Sequence, residues 1–209
     1  MTTAQRRYGG RAVAERKAER RDRFLRAATR IFAERGYPNC SLSDVCAAAG
    51  LSRRQFYEEF ATREDVLVAA YDRIQDEAAA AVTAALTEAG ALPVGRAALT
   101  TVLTAYLNSI DSDPYRAKVA FVEVVGVSER MERHRRERRH RWAEVIDLAV
   151  VPMSGPEARI AGVPGLAAGA LVGAVNGLVD EWLFRQPRPP IGDLVELLVR
   201  VADSLIERQ

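Results

Sequence analysis

The chain has 209 residues, 48% of them hydrophobic, and a formal net charge of +2. That is enough for one well-filled domain plus a small one. The two cysteines, Cys40 and Cys46, stand near each other without a nearby histidine, which excludes a zinc spacing, and the polar, arginine-rich start excludes a secretory signal. The small net charge conceals a split: residues 1–63 hold 14 Lys/Arg against 7 Asp/Glu, a net +7, whereas residues 64–209 hold 16 against 21, a net −5. A phosphate-binding surface needs the first balance and is repelled by the second.

Residues 1–14, MTTAQRRYGGRAVA, show no apolar periodicity and carry Arg6, Arg7 and Arg11 beside Gly9-Gly10. They read as a flexible basic arm, either without a role or adding phosphate and minor-groove contacts. Glu15 to Arg35 reads as an amphipathic helix whose stripe of Phe24, Ala28, Ile31 and Phe32 stops at Gly36. A shorter helix follows over Leu42–Ala49, with Leu42, Val45, Cys46 and Ala49 on one face and Ser41 or Ser43 as its cap. Gly50 suits a left-handed residue just past the helix end. Ser52 and Gln55 then have the S-x-x-Q spacing of a capping box, opening a second helix with Phe56 and Phe60 inward. Two short helices joined by so tight a turn have the shape that enters a DNA major groove. Arg53 and Arg54 fall in the first turn of the second helix, where base edges are read, and each guanidinium can pair with guanine O6 and N7. Two solvated arginines on an ordinary exposed helix remain the plain alternative.

Thr62-Arg63-Glu64-Asp65 caps another long helix. The whole string ATRIFAERGYPNCSLSDVCAAAGLSRRQFYEEFATREDVLVAAY resembles, without a gap, the N-terminal DNA-binding domain of the tetracycline-repressor (TetR) family of bacterial transcriptional regulators. The resemblance implies DNA contacts at Ser41, Ser43, Ser52, Arg53, Arg54, Gln55, Tyr57 and Arg63. Arg53, Arg54 and Gln55 would read bases, whereas Ser52, Tyr57 and Arg63 would hold phosphates. Three positions depart from the family pattern: Cys46 stands where alanine is usual, Arg54 where glycine is common, and Glu59 where histidine is common. The charge of Glu59 disfavours a DNA contact there.

From Glu64 onward the chain reads as helices over about 64–89, 95–111, 114–128, 129–151, 157–185 and 192–207, broken at Gly and Pro. The expected fold is all-α: a three-helix helix-turn-helix domain over 15–63, then a helical ligand-binding and dimerisation domain over 64–209. Arg130 to Arg141 reads as a solvated helix face, or else as a site for an anionic partner. Ile160 to Val179 is a 20-residue run without charge, but ten of those residues are Gly or Ala, Pro164 interrupts it and Asn176 lies inside, so no membrane span is expected. Gly165, Gly169, Gly173 and Gly177 recur every four residues along one face. Glycine inside a helix costs about 1 kcal/mol relative to alanine, so another helix should approach that face closely. It could come from the same subunit or from a second copy. The resemblance favours the second copy, with Leu194, Leu197, Leu198, Val201 and Leu205 as the stripe of the final helix.

The resemblance also implies a small-molecule pocket, for which Tyr106, Phe121, Glu123, Trp142, Asn176 and Trp182 are candidates that could equally be plain core residues. Neither a catalytic constellation nor a metal-ligand cluster can be read, so no enzyme activity, cofactor or metal is expected. The expected function is a cytoplasmic homodimer on a palindromic operator, released by a small-molecule effector. An activator or ligand-independent regulator of the same fold, and a helical interaction protein without DNA binding, are the alternatives.

Overall fold

A computed structural model describes residues 4–88, 95–146, 159–160 and 165–207. The chain forms two compact units, Met1–Arg73 and Ile74–Gln209. The first extends ten residues past the boundary expected at 63, because the start of the next helix buries Val66, Leu67 and Ala70 and Arg73 pairs with Asp22 at 2.6 Å.

In the first unit, α1 (Ala4–Arg35), a 3-10 turn (Tyr37–Asn39), α2 (Leu42–Ala49) and α3 (Arg53–Glu59) precede α4 (Arg63–Glu88). Helix α1 begins at Ala4, so the segment expected to be a flexible arm continues the helix. Residues 13–19 of it are exposed, so the strong helix formers there (Ala, Arg, Lys, Glu) rather than burial favour the helix over that stretch. Phe24, Phe32, Val45, Phe56, Val66 and Leu67 are fully buried. Phe24 meets Phe56 edge-on at 5.4 Å and Phe60 at 6.1 Å, which seats α3 on α1.

Helix α2 opens on a capping box made by Ser41 and Asp44, and Thr62 with Asp65 makes the same reciprocal pair before α4. Hydrogen bonds from Ser41 hold the Asp44 carboxyl below its ordinary value of 3.8. A lowered folded pKa adds stability that is full above the unfolded value and lost as pH falls through the folded one. Urea titrations should therefore separate wild type from Asp44→Asn at neutral pH and converge in strong acid; a constant gap would remove the charge from the account.

Gly50 ends α2 at φ 62°, ψ 37°. Its N–H donates to Ala47 O and that of Leu51 to Cys46 O, the paired bonds of a Schellman ending. A Cβ here would be strained and would lie 3.1 Å from Arg23 Nη2. Gly50→Ala should cost about 1–2 kcal/mol, read as an earlier denaturant midpoint at unchanged m. No loss would show that the turn relaxes freely.

The second unit contains the rest of α4 with α5 (Arg96–Ile110), α6 (Arg116–Lys118, running into a π-turn at Val119–Glu123), α7 (Glu129–Val145), α8 (Leu166–Phe184) and α9 (Ile191–Ser204). The fold is all-α. Among the described residues one extended pairing occurs, β1 (Arg159–Ile160) antiparallel to β2 (Ile206–Glu207), with Ile160 opposite Ile206. Both segments were expected inside helices. Instead α8 starts only after Gly165, at φ 78°, and α9 ends at Ser204, where β-branched Ile206 gains more from pairing than from a fraying turn. The helix expected over 114–128 is shorter and gives way near Gly126, at φ 69°. Residues 89, 147–151, 157–158 and 161–164, expected to be helical, lie outside the described residues.

Residues 75–77 of α4 carry the attachment of α6 and α7. Buried Gln75 accepts from Trp142 Nε1 at 2.9 Å, Asp76 accepts from Arg138 at 2.6 Å, and Glu77 pairs with Arg116. The arginine-rich stretch is therefore only partly the solvated face expected. Arg130, Arg133, Arg136 and Arg141 are exposed, but Arg135 is buried against Glu132 beside fully buried Met131, and Arg138 serves α4.

Candidate nucleic-acid interface

Helix α3 is short, and both of its ends are held. Ser52 Oγ accepts from Gln55 N, while Gln55 Oε1 accepts from Ser52 N at 2.9 Å and from Ser52 Oγ at 3.0 Å. Fully buried Phe56 anchors the inner face, so Arg53, Arg54, Tyr57 and Glu58 are outward, with Tyr57 57% exposed and edge-on to Phe56 at 5.7 Å. Arg54 lies only 3.6 Å from Glu58 and is 91% exposed, a pairing too wet to restrain it. Two flexible cations thus stand on a rigid, capped helix.

The other predicted contacts divide. Ser43 is exposed, but the hydroxyls of Ser41 and Ser52 are engaged in their capping boxes. Gln55 has its oxygen committed to Ser52, which leaves its amide Nε2 to donate to a base. Arg63 is not simply a phosphate cation: its guanidinium donates to Cys40 O and lies 4.1 Å over the Tyr37 ring, tying the first turn of α4 to the turn after α1. Cys46 is buried, and burial pushes its thiol up against the pull of Arg53, an inert thiol rather than a reactive one. Sequence reasoning missed Arg20, Arg21 and Arg23 of α1, which reach α2 and α3; only their spacing against an unknown tertiary partner could have signalled them.

In the second unit Tyr106 meets Trp142 edge-on at 5.1 Å, and Phe121 is buried. Glu123 lies 3.8 Å from Lys118, Asn176 Nδ2 donates to Val172 O at 2.7 Å, and Trp182 Nε1 donates to Pro189 O at 2.8 Å. The polar groups of Asn176 and Trp182 are thus partnered within their own segments. An open groove of about 370 Å³ lies elsewhere, between α5 and α9, lined by Arg96, Thr100, Thr104, Asn108, Val195 and Glu196 among others; none of the six candidates borders it. No cluster that could hold a metal occurs among the described residues.

On α8, which is long and apolar enough by composition to cross a membrane, Ala168, Leu171, Val172, Val175, Val179 and Trp182 are buried within the unit. Gly169, Gly173 and Gly177 are exposed on the other side, and a Cβ built on any of them meets nothing within 4 Å. Among the described residues no helix crosses that face closely. Gly165 is the left-handed cap and not a member of that stripe, and Leu205 lies just beyond α9. Of the remaining expected interface residues, Leu194 and Leu198 are buried in their own unit, Val201 is half-buried and Leu197 is 46% exposed.

Residues 24–70 match the family model for bacterial regulatory proteins of the tetR family. Over that stretch the chain is similar to the TetR family. A putative TetR-family transcriptional regulator from Rhodococcus sp. is similar at 25% identity and a TM-score of 0.74, covering 90% of this chain and 98% of that one. The fatty acid degradation regulator FadR from Bacillus halodurans is similar in fold at 18% identity and a TM-score of 0.73, over 88% and 94%. FadR from Bacillus subtilis, solved in complex with stearoyl-CoA, shares the fold at 16% identity and a TM-score of 0.72, over 88% and 98%. Among curated proteins none matches the chain. The matched stretch contains α2 and α3, the two helices that the capping boxes and Gly50 delimit.

Proposed function

We propose that this TetR-family regulator is a homodimeric repressor that binds a palindromic operator in the cytoplasm through Arg53, Arg54 and the amide of Gln55, and leaves it when a small molecule binds the helical unit. The observation that carries the reading is α3 itself: capped by Ser52, anchored by Phe56, and presenting two unrestrained guanidiniums. Tyr57 and Ser43 are exposed where phosphate contacts would be needed. The glycine face of α8, open within the subunit, supports pairing of two copies, which a palindrome requires.

Release demands an effector that binds the DNA-incompetent state more tightly. Stearoyl-CoA in the Bacillus subtilis protein is an instance of a ligand taken by this fold; in this chain Tyr106, Phe121 and Trp142 are the candidate contacts, and a ligand would have to displace packing such as that of Tyr106 on Trp142 to meet them. Footprinting on DNA flanking the protein's own gene should reveal a protected inverted repeat. Absence of any protected site, with or without candidate effectors, would end the repressor reading.

A further inference from the structure

Three arginines of α1 converge on the C-terminal ends of the two DNA-binding helices. Arg23 Nη2 donates to Ala49 O at 2.8 Å and to Gly50 O at 3.2 Å, closing α2. Arg21 Nη1 donates to Glu59 O at 3.2 Å, the last carbonyl of α3, while its guanidinium lies 4.4 Å over the Phe60 ring. Arg20 Nη2 reaches Glu59 Oε1 at 3.2 Å and Glu58 Oε2 at 3.5 Å. The final carbonyls of a helix lack intrahelical partners, and cations there complement the helix dipole.

The Arg20–Glu59 pair is unusual in its cost. The Glu59 side chain is 0% exposed, yet Glu59 Oε2 and Arg20 Nε are buried without a hydrogen-bond partner among the described residues. A half-satisfied buried pair is a poor stabiliser, and apolar replacements of similar size are often tolerated or better. What such a pair does supply is a defined register, since sliding or rotating α3 strands the buried Glu59 carboxylate away from the half-buried Arg20.

We propose that Arg20, Arg21 and Arg23 are positioning residues that clamp α3 at a fixed register on α1, so that Arg53 and Arg54 are aimed at base edges, and that these three cations do not contact DNA. The proposal rests on the DNA-reading role of α3 argued above. It also explains why Glu59 is tolerated in a basic module: its charge is answered from within.

The test uses the full-length protein with a duplex selected from a random-sequence library, and two variants. Arg21→Ala removes an exposed side chain and does not threaten folding; Arg20→Met combined with Glu59→Leu replaces both charges and should hold or raise the melting temperature. Each should lower the ratio of specific to non-specific affinity about tenfold, while non-specific affinity and the slope of log K against log salt stay at wild-type values. A slope reduced by about 0.9 per arginine would make them phosphate contacts and overturn the proposal. An unchanged ratio with only a shifted melting temperature would reduce them to stability and overturn it too. A DNA-free arm keeps the clamp and the regulator reading separate: amide exchange at residues 53–60 of the free protein should quicken in both variants relative to α2, and unchanged exchange overturns the clamp. A wild type that selects no sequence would sink the regulator reading, and the exchange arm still decides the clamp.

Discussion

Replacing Arg53 and Arg54 together by alanine should weaken operator binding by about 2–6 kcal/mol, at least roughly thirtyfold, while leaving the fold and the oligomeric state intact. Both side chains are exposed on the outer face of α3 and neither holds the core, which Phe56 and Phe60 do. Exposed substitutions of this kind change stability by less than about 0.5 kcal/mol. Specific affinity should fall further than non-specific affinity, because a lost base contact removes discrimination whereas a lost phosphate contact weakens all sequences alike. Fluorescence anisotropy with operator and scrambled duplexes reads both. Unchanged operator affinity with the dimer preserved would instead favour a helical interaction protein that does not use α3 for DNA.

The second large effect concerns the glycine face of α8, where two consequences of one substitution have opposite signs. Converting Gly169, Gly173 and Gly177 to alanine places three methyl groups where the described residues of one subunit offer no atom within 4 Å. Helix propensity alone then stabilises the isolated subunit, by about 3 kcal/mol for the three. A partner helix seated closely on that face meets the same methyl groups as overpacking, at about 1–3 kcal/mol each, and in a twofold interface every change occurs twice. The triple variant should therefore melt later when dilute, yet dissociate at protein concentrations at least roughly a hundredfold higher, as sedimentation equilibrium would show. A dimer as tight as wild type would place the interface elsewhere.

Much of the DNA-binding unit was legible because its signals are local. The Ser52–Gln55 capping box, the left-handed Gly50 and the apolar spacing of Phe56 and Phe60 act within a few residues, and the structure bears out each. Less of the second unit was legible. The ends of α8 and α9 were misplaced, because an apolar run does not say where a helix yields to a strand pairing between Ile160 and Ile206. Of the four glycines expected to share a face, Gly165 is instead the helix cap, and only the packing showed that no described residue of the subunit covers Gly169, Gly173 and Gly177.

The basic charge of residues 1–63 was countable from composition, but the use of each cation was not. Arg20, Arg21, Arg23 and Arg63 turn inward to carbonyls, a buried carboxylate and aromatic rings, whereas Arg53 and Arg54 remain outward. Local residue order was enough for a helical chain with a capped two-helix motif and two arginines in the first turn of its second helix, since periodicity and caps are set by near neighbours. Which arginines stay outward depends on tertiary packing, because a guanidinium's partner can lie 39 residues away along the chain, as Glu59 does from Arg20.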